Sequence, residues 1–351
     1  LKLIEEDLKR GVLKLRCETI DDLWVLYNVI REGDIVYAKT TREVKISESG
    51  STRIPVVLGV VVKKVEFQQF ADKLRVSGII VDGPEKLGVK GKHHTIAIGV
   101  GDTITVIKSK WENHELEYIK RFSTRKPRVL IVCVDYEEVC IALLLEQGVK
   151  YLLDYANTLP SKAYSVDYES HLEAFTRRIV RSVLETSSRE RVEVIIVAGP
   201  GEFKERVARA LREVIEIPVY TDSTSSGGCS GVQEVLNRDV VKKVVGDFQL
   251  IKAREVLNLF KELLIKDPEM VAYGLDDVLT ACQLGAVKVL VIVDDFLKSS
   301  SDEEFTKAQT LLRTAYETKS EIIIIPGSCD LGGEVRGFGG VIAILRFKVS
   351  R

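Results

Sequence analysis

The 351-residue chain is 45% hydrophobic and 29% charged with a net charge of −1, which excludes a disordered chain and allows about two or three domains. No apolar run approaches the roughly 20 residues of a membrane span, and no signal peptide precedes LKLIEEDLKRG, so a soluble, cytoplasmic protein is expected. Residues 1–127 hold 23 Lys/Arg against 18 Asp/Glu, whereas residues 128–255 (17 against 20) and 256–351 (11 against 14) are acidic, so a polyanion would be met at the first end.

In chain order, short strands recur at Gly11–Cys17, Asp34–Arg42, Val56–Phe67, Lys73–Ile80, His94–Ile98 and Thr103–Lys108, divided by turn signals at Ser49-Gly50, Asp82-Gly83 and Gly101-Asp102. Strands this regular predict a small barrel. One helix interrupts them at 19–34, with a capping-box start (Thr19-x-x-Asp22), an inward stripe of Leu23, Leu26, Tyr27 and Ile30, and Gly33 as its stop. The segment Ile46–Ile54 lacks periodicity and reads as a loop between basic strand ends at Lys39, Arg42, Lys45 and Arg53. With Lys90, Lys92 and His93 it forms the candidate nucleic-acid contact.

A helix at Trp111–Phe122 leads to the polar segment Ser123–Pro127, the expected first domain boundary. The middle stretch, residues 128–255, alternates strand and helix: Arg128–Val134, a helix at Glu137–Glu146, Val149–Asp154, a helix at Asp167–Thr186, Val192–Val197, a helix at Phe203–Leu211, and Ile217–Tyr220. That alternation predicts an α/β domain with a largely parallel sheet. Gly199-Pro200-Gly201 breaks the chain between strand and helix, as a phosphate cradle would. Pro200 removes a backbone donor and no Lys-Ser/Thr pair follows, so the turn reads as structural.

Ser223–Gly231 reads as a flexible loop, followed by a helix from Val232. The last module, 256–351, is a second α/β domain. It holds helices at Glu255–Ile265, Asp276–Leu284 and Asp302–Thr318, strands at Val287–Val293, Glu321–Ile325 and Val341–Phe347, and a glycine-rich loop at Gly327–Gly340. The six cysteines never form CxxC, and Cys133, Cys140 and Cys282 sit in apolar runs. Neither a zinc site nor a disulfide frame is expected; a reduced compartment is.

Glu18, Asp21 and Asp22 supply oxygen ligands of the kind a metal-dependent nuclease needs. Asp21 and Asp22 equally suit a first helical turn, which favours acids through its dipole, and that reading is preferred. Asp135 and Asp154 end successive strands and read as caps rather than a metal pair. His93-His94, beside Lys90 and Lys92, read as strand-edge or RNA-facing residues. No GxSxG or HExxH occurs.

LKLIEEDLKRG, ETIDDLWVLYNVIREGD, TTREVK, KGKHHTI, AGPGEFKE and the closing GGVIAILRF together resemble the Pelota family of archaeal and eukaryotic ribosome-rescue factors, across the whole chain. The resemblance implies an Sm-like β-barrel, a central ribonuclease-H-like α/β domain shared with release factors, and a C-terminal ribosomal-protein-like α/β domain that binds partners. It implies entry into the empty A site of stalled ribosomes and mRNA surveillance (no-go decay). Partners would be a GTP-bound elongation factor 1-alpha-type protein and an ABC-family ATPase that splits subunits. No cofactor is implied for rescue. A divalent metal is implied only by the family-attributed endoribonuclease activity, for which Glu18, Asp21 and Asp22 are the candidates. The Gly-Gly-Gln of release factors is absent, so peptide release is not expected. The expected GTPase contact is Pro200, Gly201, Glu202, Phe203, Lys204 and Arg206, on a monomer whose domains move relative to one another. Where the family reads Pro-Gly-Phe, this chain has Pro200-Gly201-Glu202-Phe203, which puts that contact in question and leaves Phe203 as the ring that would anchor it.

Overall fold

The computed structural model describes residues 1–47, 50–123, 126–156, 168–241, 249–299 and 301–349. It contains three sheets, each with its own helices.

The first sheet is antiparallel and runs β1 (Lys2–Asp7), β2 (Val12–Arg16), β7 (Thr103–Ile107), β3 (Ile35–Ser47), β4 (Gly50–Glu66), β5 (Lys73–Asp82), β6 (His93–Gly99). Alternate residues of β5 are buried, as period-two patterning over a single core requires. The sheet curls, because Arg42 on β3 reaches His93 and His94 on β6 across the two intervening strands. Helix α1 (Ile20–Val29) packs its Leu23, Trp24 and Leu26 into the core behind the expected capping box. Helix α2 (Asn113–Phe122) follows β7. The expected loop at Ile46–Ile54 is instead strand: β3 continues to Ser47 and β4 begins at Gly50. Among the described residues no third strand pairs there, so nothing selects an apolar face and the period-two signal disappears.

The middle sheet has the order β10 (Gly148–Ala156), β9 (Glu138–Leu145), β8 (Val129–Val134), β11 (Val194–Gly199), β12 (Val219–Ser223). Only β8, β11 and β12 are parallel; β9 is antiparallel to both its neighbours. The sheet is therefore mixed, and the expected helix at Glu137–Glu146 is β9. Val139 to Leu145 is buried at every position, and a continuous apolar run has no period by which helix and strand differ. Helices α3 (Tyr168–Glu190) and α4 (Phe203–Arg212) cover one face, and α5 (Gly228–Val235) covers the other. α5 begins inside the expected loop Ser223–Gly231, and a disulfide joins its Cys229 to Cys140 on β9. The expectation of fully reduced cysteines is thereby overturned, because folding sets two residues 89 apart in sequence at a Cα separation of 5.1 Å.

The last sheet runs β13 (Val271–Tyr273), β16 (Val341–Leu345), β14 (Val287–Val293), β15 (Glu321–Ile325). Helices α7 (Leu275–Gln283) and α8 (Asp302–Glu317) lie on one face; α6 (Gln249–Lys266) and α9 (Asp330–Arg336) lie on the other. α9 occupies the glycine-rich stretch expected to be a loop. The Cys329 sulfur caps it by accepting from Gly332 N at 3.2 Å, a start signal hidden among glycines. No helix among the described residues is long and apolar enough to cross a membrane.

Candidate functional site

The acidic trio separates in space. Asp22 is buried and accepts from Glu18 N (2.6 Å), Thr19 N (2.9 Å) and Leu1 N (2.6 Å). Asp21 faces the middle module, where it accepts from Glu146 N and Gln147 Nε2, both at 3.1 Å. Burial pushes the Asp21 carboxyl above its ordinary range, against the pull of those donors. Glu18 is exposed. Among the described residues no group of three His, Cys, Asp or Glu side chains could hold a metal ion. Asp135, one of the two strand-end acids, caps a turn by accepting from Glu137 N (2.7 Å) and Glu138 N (2.8 Å).

Asp21 thus belongs to a junction that the sequence did not announce. The β9–β10 turn, Glu146-Gln147, is only 3% and 0% exposed although it is a hairpin tip. Gln147 accepts from Phe70 N (2.9 Å) and from Gln69 Nε2 (2.6 Å, through its carbonyl). Glu146 takes Lys126 and, from α6, Gln249 N at 2.6 Å. Burial pushes the Glu146 carboxyl up to about 7, against the pull of Lys126. All three modules therefore meet on two polar residues. The signal that could have revealed the turn is a polar pair followed by Gly148, interrupting an apolar run.

A different seam joins the first and last modules. Trp24 Nε1 donates to Asp294 Oδ2 at 3.0 Å, and its ring packs edge-on against Tyr118 and Phe122. Lys298 donates to Ile30 O and sits 5.0 Å from the centre of the Tyr27 ring. One apolar cluster is continuous across this seam, from Trp24 and Phe122 to Leu297 and Leu312. The polar linker near residue 125 gave no sign of such a contact, because the contact joins modules that the linker does not connect.

Of the basic candidates, Lys39, Arg53, Lys90, Lys92 and His93 are exposed and Arg42 is half-buried. The Lys45 side chain lies outside the described residues. Arg42 Nη1 donates to His93 O (3.3 Å) and lies 3.2 Å from His94 Nδ1, while Thr40 Oγ1 lies 3.1 Å from His94 Nε2. Burial, then Arg42, lowers the His94 pKa, so the ring is neutral near pH 7 and can accept from Arg42. The structure brings Arg42 and His93 together.

The turn at the middle module's strand edge is presented as expected, but its side chains are not. Gly199 has φ 154°, and a Cβ there would stand 1.9 Å from Val134 O, so only glycine lets the chain turn this close to β8. Gly201 (φ 61°) and Glu202 are exposed. Phe203 is not a surface anchor. It is 1% exposed, stacked on Phe175 with centroids 5.7 Å apart and packed against Tyr136. Lys204 is buried too, because its ammonium folds back onto Gly201 O, and Arg206 is held by Glu169. The exposed part of the candidate contact is therefore the turn.

Comparison with known proteins agrees with this architecture. Residues 1–123 match the family model for the Pelota N-terminal domain, and residues 250–349 match that for eRF1 domain 3. The chain is 47% identical to a protein pelota homolog of Desulfurococcus amylolyticus, covering 100% of this chain and 99% of that one. It is 41% identical to the homolog of Staphylothermus marinus over the same shares. The crystal structure of the Thermoplasma acidophilum Pelota protein superposes with a TM-score of 0.75 at 25% identity, covering 99% of this chain and 100% of that one. Three sheets in this order, a capped tryptophan-bearing first helix and relatives alike over the full length lead to one conclusion: the chain belongs to the Pelota family.

Proposed function

We propose that this protein recognises stalled ribosomes at an empty A site and promotes their dissociation and mRNA surveillance. The observation that carries this reading is the full-length likeness to Pelota proteins, combined with a C-terminal module of the release-factor type and no Gly-Gly-Gln anywhere in the chain. The first module supplies the RNA contact through Lys39, Arg42, Lys45, Arg53, Lys90, Lys92 and His93. The turn Pro200–Glu202 supplies a rigid, exposed contact for an elongation factor 1-alpha-type GTPase, and an ABC-family ATPase completes subunit splitting. The protein acts as a monomer in the cytoplasm and needs no cofactor for this work. Metal-dependent cleavage of mRNA through Glu18, Asp21 and Asp22 is the weaker alternative, since Asp21 and Asp22 already accept hydrogen bonds that order α1 and the module junction.

Co-sedimentation with ribosomes carrying a vacant or a tRNA-filled A site tests the reading. Preference for the vacant site is expected, with affinity falling steeply with salt because the contacts are to phosphate. Equal binding to both, or release of peptide from peptidyl-tRNA, would overturn it.

A further inference from the structure

Three of the six cysteines converge on one face of the middle sheet. β8 and β9 pair antiparallel with Cys133 opposite Cys140, so both side chains leave the sheet on the same side. Both are fully buried in the apolar cluster under α5, against which Cys229 of α5 also packs. At the end of this ladder Asp135 N donates to Glu138 O. Two residues further on, Cys133 and Cys140 therefore form another hydrogen-bonded rung, with Cα atoms about 5.5 Å apart. A disulfide can span that distance, as it spans the 5.1 Å between Cys140 and Cys229. Cys140 thus has two partners within bonding reach and is joined to one of them.

The Cys133 sulfur is fitted against the start of α5. It lies 3.8 Å from Thr224 Oγ1 and 3.8 Å from Ser226 O, in the turn that leads into the helix. A Cβ on Gly231 would stand 2.2 Å from this sulfur, so α5 seats on β8 and β9 only with glycine at that place. Burial pushes the Cys133 thiol up to about 11, which keeps it protonated while α5 is seated. Cys229, by contrast, is half-buried beside the exposed Ser230, so the outer end of the bridge lies next to solvent.

α5 also carries a contact to the last module. Gln233 donates to Asp330 Oδ2 at 2.9 Å and to the Tyr151 hydroxyl on β10, and it accepts from Arg254 of α6 at 3.3 Å. The bridge therefore fastens the first turn of a helix whose second turn reaches another module.

We propose that Cys133, Cys140 and Cys229 form a thiol–disulfide exchange centre that seats or releases α5. When α5 lifts, Cys133 gives its proton to solvent and the thiolate attacks the Cys140 sulfur. The Cys133–Cys140 bond forms, the Cys140–Cys229 bond breaks, and Cys229 leaves as a thiolate that takes a proton from solvent. One disulfide and one thiol are present before and after, so no oxidant or reductant is consumed. The exchange moves the staple from strand-to-helix to strand-to-strand, and Gln233 loses the anchor that holds it against Asp330.

The test incubates the full chain without reductant in iodoacetamide and maps its cysteines by mass spectrometry of unreduced peptides. Iodoacetamide should mark Cys229 in molecules that carry a Cys133–Cys140 bond. Cys133→Ser, which keeps the native bridge, should slow that marking about tenfold or more, since the attacking thiol is gone. Cys229→Ser, oxidised with diamide, should close Cys133–Cys140 within one molecule. Hydrogen exchange in α5 and at Asp330 should be faster in the marked parent than in the unmarked. If Cys229→Ser does not fold, the parent and Cys133→Ser decide the matter between them. The proposal is overturned by equal marking of Cys229 in those two, by no marking in the parent, or by unchanged exchange in the marked chain. It is overturned equally if Cys140 of folded, oxidised Cys229→Ser stays a thiol or pairs elsewhere.

Discussion

Two of the contacts between modules differ in character, beside a second apolar cluster that runs from Val129 and Ile196 of the middle module to Val291 and Ile342 of the last. The seam between the first and last modules is a continuous apolar cluster with Trp24 at its centre. The junction at Glu146-Gln147 is made of side-chain and backbone hydrogen bonds around a buried hairpin tip. Apolar burial is non-directional and tolerates small shifts, whereas hydrogen bonds fail together once the geometry is lost. The difference teaches which contact depends on geometry. The first module meets the last through apolar burial and meets the middle module's hairpin tip through hydrogen bonds.

Four experiments can break or sharpen that contrast. Trp24→Ala should have the largest effect, about 3–5 kcal/mol for deleting a buried tryptophan, seen as early melting of the first and last modules together. If they melt separately in the parent protein already, the seam does not couple them. Cys140→Ser with Cys229→Ser should cost about 2–4 kcal/mol, confined to the middle module, and hydrogen exchange should rise in β9 and α5 while α1 is unchanged. Gln147→Ala leaves Phe70 N without its partner and Asp21 with Glu146 N alone, and should cost about 1–3 kcal/mol at this contact. Hydrogen exchange should then rise at Phe70 and Asp21 with the melting of Trp24's module unaltered; unchanged exchange would mean that these bonds do not hold the contact.

The fourth is the smallest and concerns pH. Burial raises the Glu146 carboxyl from 4.5 to about 7, so its contribution to docking is present below pH about 4.5 and is lost as pH rises through about 7. Lys298 has the opposite sign. Burial, with Arg31 and Lys108 nearby and Asp34 and Asp294 opposing them, lowers its ammonium from 10.5 to about 7. Its contribution to the seam is present above pH about 10.5 and is lost as pH falls through about 7. Raising pH from about 6 to about 8 should therefore loosen the middle module while tightening the seam, read as opposite changes in hydrogen exchange at Gln147 and at Trp24. Changes of one sign at both would mean that the junctions are not independent.

Much of this architecture was legible because local signals were strong. The capping box at Thr19, the buried strands Val287–Val293 and Glu321–Ile325, and the strand–turn–helix at Gly199–Phe203 stand where pattern and cap predicted. What failed did so for stated reasons. β9 was read as a helix because full burial erases periodicity, and α5 and α9 were hidden by glycines that their close packing requires, such as Gly231 against Cys133 and Gly332 against Pro326 O. Phe203 looked like an anchor by resemblance, yet it packs with Val207 and Leu211 in the core of the middle module. The junctions and the disulfide join residues far apart in the chain, and such contacts leave no trace in local pattern.

The β3–β4 hairpin has a mechanical consequence. β7 supports β3 only over Ile35–Ala38, and β5 supports β4 only from Gly59 onward. Beyond those points the two strands pair solely with each other, a ribbon reaching about 30 Å at the usual rise per residue. A two-stranded ribbon is marginal in water without a third layer. It is clamped at its root, where Thr40 and Arg42 meet His94. Contact with a partner along the ribbon would stiffen it. Part of the binding free energy would then go into ordering the arm, so that affinity and arm rigidity trade against each other along its length.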